Sequence, residues 1–111
     1  MINIADDFSK TPAGRVRSDG PSSGERFRED FLLPQLKTTK IVEIKLDGAA
    51  GYPSSFLEEA FGGLIREGYL TSSEAKSRIR IIASAPEFKR YEKAIWYHID
   101  QANQTPKARK H

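Results

Sequence analysis

The sequence predicts an α/β domain with few strands, a mostly parallel sheet and helices mainly on one sheet face. The strongest evidence is residues 41–47 (IVEIKLD), where apolar and polar side chains alternate as in a strand with one covered and one wetter face. Helical patterns precede and follow this strand, and the whole chain gives the order β-α-β-α-β-α. The connections are long enough for right-handed parallel crossovers.

The N-terminal part predicts a strand, a loop and a helix. Residues 2–8 begin with isoleucines that alternate with polar neighbours, which favours a short strand. Residues 11–24 contain three glycines and two prolines, which predict a loop. Ser22 and Glu25 have capping-box spacing, which predicts a helix start here, and we expect the helix over residues 23–33. This helix ends before Pro34, because proline disfavours helical geometry in the residue that precedes it.

The C-terminal part predicts further helices and a third strand. Residues 56–67 carry an apolar stripe at helical spacing, and Gly68 is a typical residue to follow a helix end. Residues 71–74 (TSSE) have capping-box spacing and predict one helical turn. The run 78–84 (RIRIIAS) predicts the third strand, and a proline opens the last helix at residues 86–102.

Composition limits the class of protein. The 111 residues suit one domain, assigned to residues 1–102, followed by a basic tail at 103–111 that we expect to be disordered. The chain contains no cysteine, which excludes disulfides, thiolate metal sites and cysteine nucleophiles. The N-terminus lacks a signal-peptide pattern and no apolar run approaches the roughly 18 residues of a membrane span, so we expect a cytoplasmic protein.

The positive charge of the chain is confined to its end. Lys107, Arg109 and Lys110 account for the formal net charge of +3, because the other 15 lysines and arginines balance the 15 aspartates and glutamates. Such a tail holds nucleic-acid phosphates only weakly and without sequence preference. Nucleic acid is therefore not the expected partner.

Two adjacent serines lie between the central strand and the helix that follows it. Ser55 and Glu58 have capping-box spacing, so we expect Ser55 to satisfy free backbone N–H groups at the helix start. Ser54 then lies one residue outside the helix and is not needed for the cap. A phosphate on Ser54 would lie near the positive end of the helix dipole, which makes Ser54 the candidate phosphoacceptor. The alternative is a solvated turn serine.

Two glycines interrupt the same helix on its non-core face. Gly62 and Gly63 each cost about 0.5–1 kcal/mol relative to alanine, a cost often explained by the close approach of another backbone. That backbone belongs either to this chain, for example to the loop at residues 11–24, or to a partner protein. The predicted partner-docking residues are Tyr52, Pro53, Ser55, Glu58, Glu59, Gly62, Gly63 and Arg66.

A second candidate site is the arginine-rich loop at residues 15–28. Backbone N–H groups and arginines together can bind an anion, although the GxxxxGK[ST] pattern of a Walker loop is absent. Asp19, Glu25 and Glu29 could instead pair with the arginines in a structural loop. The candidate anion-binding residues are Arg15, Arg17, Ser22, Ser23 and Arg26.

The sequence offers few residues for catalysis or metal binding. His98 lies within the last helix and His111 at the end of the chain, so a zinc site or a nucleophile–histidine pair lacks parts. Glu58 and Glu59 are adjacent, which places them about 100° apart around a helix and excludes a carboxylate dyad made by them alone. We therefore predict no enzyme activity, no metal site and no cofactor.

The segment IVEIKLDGAAGYPSSFLEEAFGGL resembles STAS-like domains, the family related to anti-sigma-factor antagonists and to the cytoplasmic domains of sulfate transporters. The matching elements are a strand ending in Asp47, a short loop, a serine pair and an immediately following helix. The segments GRVRSDGPSSGERFRED and FGGLIR make the chain more similar to a bacterial STAS-like family of uncharacterised function. This resemblance covers most of residues 1–102 and implies a small STAS-like fold.

The resemblance also implies a partner. In antagonist STAS domains, a kinase related to histidine-kinase ATPase domains phosphorylates a serine at this helix start, and this switches the bound partner. Ser54 corresponds to that serine. The antagonists usually have Asp before the serine pair and Gly after it, where this chain has Pro53 and Phe56.

Two functions stay open from the sequence. The leading hypothesis is a non-enzymatic regulatory module that docks a protein, such as a histidine-kinase-type ATPase, through the surface of residues 51–63. The alternative is a domain or small enzyme that binds a phosphate-bearing molecule or nucleotide through the loop at residues 15–28. The sequence leaves the oligomeric state open, with a homo-oligomer among the alternatives.

Overall fold

The computed structural model describes residues 1–103 and places three parallel strands at the centre of the fold. Strands β1 (Ile2–Asn3), β2 (Val42–Lys45) and β3 (Ile79–Ile82) lie side by side in that order. Ile44 of β2 lies opposite Ile2 on one side and opposite Ile81 on the other, and both pairings are parallel. The predicted α/β fold with a parallel sheet is therefore confirmed.

Helices connect the strands and lie against one face of the sheet. Ile44 is fully buried on that face, whereas Glu43 and its register partner Arg80 are exposed on the other face. Fully buried phenylalanines fill the space beneath the helices, with the ring of Phe27 centred 6.1 Å from the ring of Phe61. The alternation that predicted β2 thus reports directly which sheet face is covered.

Helices α1 (residues 24–38) and α2 (residues 54–66) each contain a central π-helical stretch. In α1, Phe27–Leu32 lies between Gly24–Arg26 and Leu33–Thr38; in α2, Glu58–Gly62 lies between Ser54–Leu57 and Gly63–Arg66.

Helix α1 passes through Pro34 and ends at Thr38, so the predicted end at Leu33 is wrong. A proline has no N–H and cannot make the usual hydrogen bond to the carbonyl four residues earlier. The wider hydrogen-bond spacing of Phe27–Leu32 comes just before the proline, and a π-helical stretch of this kind lets the helix continue past it.

Strand β1 is shorter than predicted, because Ile4–Phe8 form a π-helical turn. The Asn3 side chain accepts a hydrogen bond from the backbone N–H of Asp6 at 3.2 Å. The Asp7 carboxylate accepts one from the backbone N–H of Asn3 at 2.8 Å. Local side chains that hydrogen-bond the backbone in this way compete with a strand and end it early.

The C-terminal elements follow the predicted order. Helix α3 (Ser72–Arg78) is opened by a capping box in which Thr71 and Glu74 exchange backbone N–H hydrogen bonds, as predicted. Helix α4 (Lys89–Asn103) follows a 3₁₀ turn that starts at Pro86. Residues 104–111, which make up most of the predicted basic tail, lie outside the described part of the chain. Within residues 1–103, none of the helices combines the length and apolar content needed to cross a membrane.

Candidate functional site

Helix α2 begins at Ser54, two residues earlier than the sequence predicted. Pro53 takes the N-cap position with extended backbone angles (φ −60°, ψ 146°), so Ser54 and Ser55 are the first two helical residues. The predicted capping box between Ser55 and Glu58 is therefore wrong. A proline has a fixed φ that suits the approach to a helix, and Glu58 is instead engaged by two arginines.

Ser54 is exposed, and its hydroxyl faces helix α4. The Oγ atom of Ser54 lies 3.5 Å from Nε2 of His98, at the outer limit of a hydrogen bond. Burial lowers the pKa of His98; the nearby charge of Glu58 raises it and that of Arg15 lowers it again. The net effect is a lowered pKa, which favours the neutral imidazole.

A chain of ion pairs runs along helix α2 below Ser54. Glu58 accepts hydrogen bonds from Arg15 at 2.5 Å and from Arg66, while Glu59 pairs with Arg28 at 2.8 Å and with Arg66 at 3.4 Å. Burial acts to raise the pKa of Glu58, but the hydrogen bonds from Arg15 and Arg66 outweigh it and lower that pKa. The network joins three segments of the chain.

Three of the predicted docking residues are therefore occupied within the molecule. Glu58, Glu59 and Arg66 each contact a partner in the same chain, and a protein docking onto them would have to replace those contacts. Breaking such pairs leaves a partly buried charge without compensation, which is costly. These residues hold α2 in place.

The two glycines of α2 are buried by neighbours from the same chain. Gly63 lies beneath the guanidinium of Arg28, so a side chain at position 63 would overlap it. Gly62 lies against helix α4, where an added Cβ would be 3.3 Å from the carbonyl oxygen of His98. The predicted approach of another backbone is found only at Gly62, where it comes from helix α4 and not from the loop at residues 11–24, whereas Gly63 meets a side chain. Both glycines are buried.

The loop at residues 11–24 also touches α2, at a place the sequence did not indicate. An added Cβ at Gly24 would lie 2.6 Å from the carbonyl oxygen of Phe56 and 3.0 Å from the backbone nitrogen of Ala60. Glycine at this position lets the start of α1 pack directly on the backbone of α2.

The candidate anion-binding arginines are engaged by carboxylates. Arg17 donates two hydrogen bonds to Asp30, at 3.0 and 2.8 Å, and Arg26 lies 3.8 Å from the same carboxylate. Arg15 pairs with Glu58 across to helix α2. These contacts correspond to the structural loop that the sequence left open as an alternative.

The serines of that loop have structural partners as well. Ser23 is buried and caps helix α1 by accepting a hydrogen bond from the backbone N–H of Arg26 at 3.2 Å. The hydroxyl of Ser22 lies 2.9 Å from that of Ser9. Asp19 accepts backbone N–H hydrogen bonds from Arg15 and Val16 and closes the turn.

A groove of about 480 Å³ lies between the loop and helices α1 and α2. Its lining does not favour an anion, because the carboxylates outnumber the guanidinium groups. The charged lining residues are Arg17, Arg28, Arg66, Glu25, Glu29, Glu59 and Glu67.

Two shallow grooves flank Pro53 and Ser54. One, of about 420 Å³, has a mainly apolar lining, and the other, of about 340 Å³, includes the Ser54 side chain. Both are lined in part by Tyr52 and Tyr91. We call the area around them the Pro53 surface and define it by Ala13, Ala50, Pro53, Ser54, Arg90 and Tyr91.

Tyr52 supports the Pro53 surface from below. Its side chain is 4% exposed, and its hydroxyl donates to the carbonyl oxygen of Leu46 at 2.6 Å. Burial raises the pKa of Tyr52 well above its usual value, with smaller contributions from Asp47 and Tyr91. Tyr52 is therefore a structural residue, although the sequence placed it among the docking residues.

Comparison with known proteins identifies the family. A family model for a STAS-like domain of unknown function (DUF4325) matches residues 23–88. This segment includes α1, β2, α2 and β3, and therefore Ser54, whereas His98 and Arg15 lie outside it. Neither the curated proteins nor the solved structures give a match. Because the family model covers more than half of the chain, the protein belongs to the family of STAS-like domains of unknown function.

Proposed function

We propose that the protein is a non-enzymatic regulatory module that binds a protein partner through the Pro53 surface, and that phosphorylation of Ser54 switches this binding. Membership of the STAS-like family suggests a regulatory or interaction module in general. The observation that carries the finer proposal is the position of Ser54, exposed at the first residue of α2 and between two grooves.

Exposure distinguishes Ser54 from its neighbour. A kinase must bring a serine hydroxyl in line with the γ-phosphate of its nucleotide, which needs an accessible side chain. Ser54 is exposed, whereas Ser55 is half-buried at the second position of the helix. The two serines therefore form a matched pair for experiment, since they differ in accessibility but share the same helical turn.

A phosphate at Ser54 would change the charge of the Pro53 surface as well as its shape. It adds a charge of about −2 and three acceptor oxygens. The 340 Å³ groove next to Ser54 is also lined by Arg90 and Tyr91, so the modified and unmodified surfaces would present different charges to a partner. A difference of this kind is what a partner switch requires.

The partner implied by the resemblance is a histidine-kinase-type ATPase. The test is co-expression of the chain with the ATPase encoded nearest to its gene, followed by intact-mass analysis and affinity co-purification. We expect the mass of one phosphate on the wild type and on Ser55→Ala, and none on Ser54→Ala. If the wild type gains no phosphate and captures no ATPase, the switch proposal fails.

The docking part of the proposal has its own test. Tyr91→Ala and Arg90→Ala alter the Pro53 surface without touching the Ser54 hydroxyl. We expect both to weaken capture of the partner, while Arg80→Ala, on the exposed sheet face, leaves capture unchanged. Equal capture by all three variants would place the binding surface elsewhere.

A further inference from the structure

Helices α2 and α4 meet at Ser54 and His98, which come from distant parts of the chain. We propose that His98 receives a phosphate group placed on Ser54, as an imidazolium–phosphate pair that ties the first turn of α2 to α4. The inference rests on the proposed function, since it takes Ser54 as the phosphoacceptor, and it names the residue within the domain that responds to the modification.

The geometry brings the two groups together without any rearrangement of the backbone. Nε2 of His98 lies 3.5 Å from Oγ of Ser54, and the imidazole is half-buried. A groove of about 190 Å³ between the helices is lined by His98, Glu58, Arg66, Gln101 and Ala102. A phosphate on Oγ would place acceptor oxygens next to the imidazole, where a protonated ring can donate to them.

The charges around His98 explain why it is neutral before modification. Glu58 faces it from α2, but this carboxylate is already compensated by Arg15 from the loop and by Arg66 from its own helix. On α4 itself, Asp100 is paired with Lys76 of α3 at 2.8 Å. The imidazole thus has no uncompensated carboxylate next to it, and its burial favours the uncharged ring.

A phosphate dianion at Ser54 reverses this balance. It brings a charge of about −2 to a place where Arg15 and Arg66 are already shared with Glu58. Arg90, which also lines the groove next to Ser54, already carries its charge, so His98 is the group that can add a positive charge, by taking one proton from solvent. The phosphate on Ser54 raises the proton affinity of His98, and a protonated His98 in turn favours the dianionic form of the phosphate.

The pair would give the modification a structural effect beyond the Pro53 surface. Helix α4 packs on the π-helical part of α2, with Gly62 directly against the carbonyl of His98. A charged hydrogen bond between Ser54 and His98 would add a second fixed point near the start of α2. Phosphorylation would therefore tighten the contact between α2 and α4, most strongly at mildly acidic pH.

The test is a titration of His98 by NMR in protein that carries phosphoserine inserted at position 54 during synthesis. The chain has two histidines, so His111 provides a reference signal in the same spectrum. We expect the proton affinity of His98 to rise at least tenfold, which is about one pKa unit, with a much smaller change at His111. Phosphoserine at position 55 is the matched control and should give a clearly smaller rise at His98.

The phosphate provides an independent readout. Its second ionisation, followed by phosphorus NMR, should occur at lower pH in the phosphorylated wild type than in the phosphorylated His98→Asn variant, because the imidazolium favours the dianion. If the protein with phosphoserine at position 54 does not fold, the Ser54→Asp variant replaces it and should raise the proton affinity of His98 by a smaller factor. If the pKa of His98 shifts no more than that of His111, both in the protein with phosphoserine at position 54 and in Ser54→Asp, the inference is overturned.

The result separates this inference from the proposed function. No kinase takes part in the titration, so a protein that no ATPase phosphorylates would still show the His98 shift if the pair forms. Conversely, the pKa of His98 could stay unchanged by phosphoserine at position 54 while the ATPase still adds a phosphate to Ser54. That result would remove His98 from the mechanism and leave the switch at Ser54 in place.

Discussion

Arg28 and Glu59 form an almost buried ion pair that fastens helix α1 to helix α2. Nη1 of Arg28 lies 2.8 Å from Oε2 of Glu59, and the two side chains are 5% and 14% exposed. Arg28 also donates to the backbone carbonyl of Glu59 and to the carboxylate of Glu29. Burial lowers the pKa of Arg28, but the hydrogen bonds that Arg28 donates to the carboxylates of Glu59 and Glu29 outweigh this and raise it. The pair holds the helix that presents Ser54.

Removing the charge of Glu59 should therefore destabilise the domain. The Glu59→Gln variant leaves Arg28 buried with one carboxylate less, and we expect a loss of about 3 kcal/mol in the free energy of unfolding. Urea denaturation followed by circular dichroism measures it. The control is Asp30→Asn, which breaks the half-exposed pair with Arg17 and should change stability little. Equal losses in the two variants would contradict the role given to Arg28.

The close contact of Gly24 with α2 gives a second prediction. Alanine at position 24 would gain up to about 1 kcal/mol in helix propensity. Its Cβ would, however, meet the carbonyl oxygen of Phe56 at 2.6 Å, and backbone atoms in a packed interface cannot move cheaply. We expect Gly24→Ala to lower the free energy of unfolding by about 1–3 kcal/mol in net terms.

Gly62→Ala is the matched comparison. The nearest atom to its added Cβ is a carboxylate oxygen of Glu58 at 3.0 Å, which belongs to a side chain, and the next is the carbonyl of His98 at 3.3 Å. The loss of stability should therefore be smaller than for Gly24→Ala. Urea denaturation of both variants gives the order, and a larger loss for Gly62→Ala would show that the α2–α4 contact is the tighter one.

The sheet could be predicted from the sequence because the pattern of β2 depends on burial alone. Ile44 and Glu43 alternate between a covered and an open face, and the structure repeats this alternation. The ends of elements depend on local hydrogen bonds that periodicity does not contain. Asn3 and Asp7 end β1 early, and the π-helical stretch of α1 carries the helix past Pro34.

The candidate site could be predicted only in part. The position of Ser54 at a strand–loop–helix junction follows from the order of apolar runs and turn residues. Its neighbour His98 is 44 residues away in sequence, and their contact results from the packing of α4 on α2. Spacing rules describe residues within one element, so they carried no signal for this pair. The partner that Glu58 finds in the loop, Arg15, was missed for the same reason.

Asp47 joins the ends of β2 and β3 and should make stability depend on pH. Its carboxylate accepts hydrogen bonds from the backbone N–H groups of Ala85 at 2.8 Å and Ser84 at 3.0 Å, and these lower its pKa. A carboxylate whose pKa is lower in the folded than in the unfolded chain stabilises the fold at pH values above its unfolded pKa of about 3.9. This contribution is lost as the pH falls through the folded pKa.

The Asp47→Asn variant tests this contribution. We expect it to be less stable than the wild type at neutral pH, and the difference between the two melting temperatures should shrink as the pH is lowered towards about 3, below the unfolded pKa. Thermal unfolding at a series of pH values measures the difference. Asp6→Asn, at an exposed surface pair with Lys10, is the control and should change the melting temperature little at neutral pH. A pH-independent difference for Asp47→Asn would contradict the prediction.

His98 gives the unmodified protein a second pH dependence of stability, which comes from an imidazole and not from a carboxylate. Burial lowers its pKa below the usual 6.5, Glu58 opposes this shift and Arg15 adds to it. The unfolded chain then binds more protons than the folded one at pH values between the folded pKa and 6.5. The free energy of unfolding should therefore fall as the pH drops through this window, and level off below the folded pKa.

The His98→Gln variant should lack this loss, because glutamine does not titrate. We expect the stability of the variant relative to wild type to rise as the pH is lowered from about 7.5 to about 5, a range that contains the unfolded pKa. Urea denaturation at each pH measures it, and His111 cancels because both proteins contain it. Glu58→Gln removes the charge that raises the His98 pKa, so the His98 resonance should titrate at still lower pH in that variant. A relative stability of His98→Gln that stays constant with pH would mean that His98 titrates alike in the folded and unfolded chain.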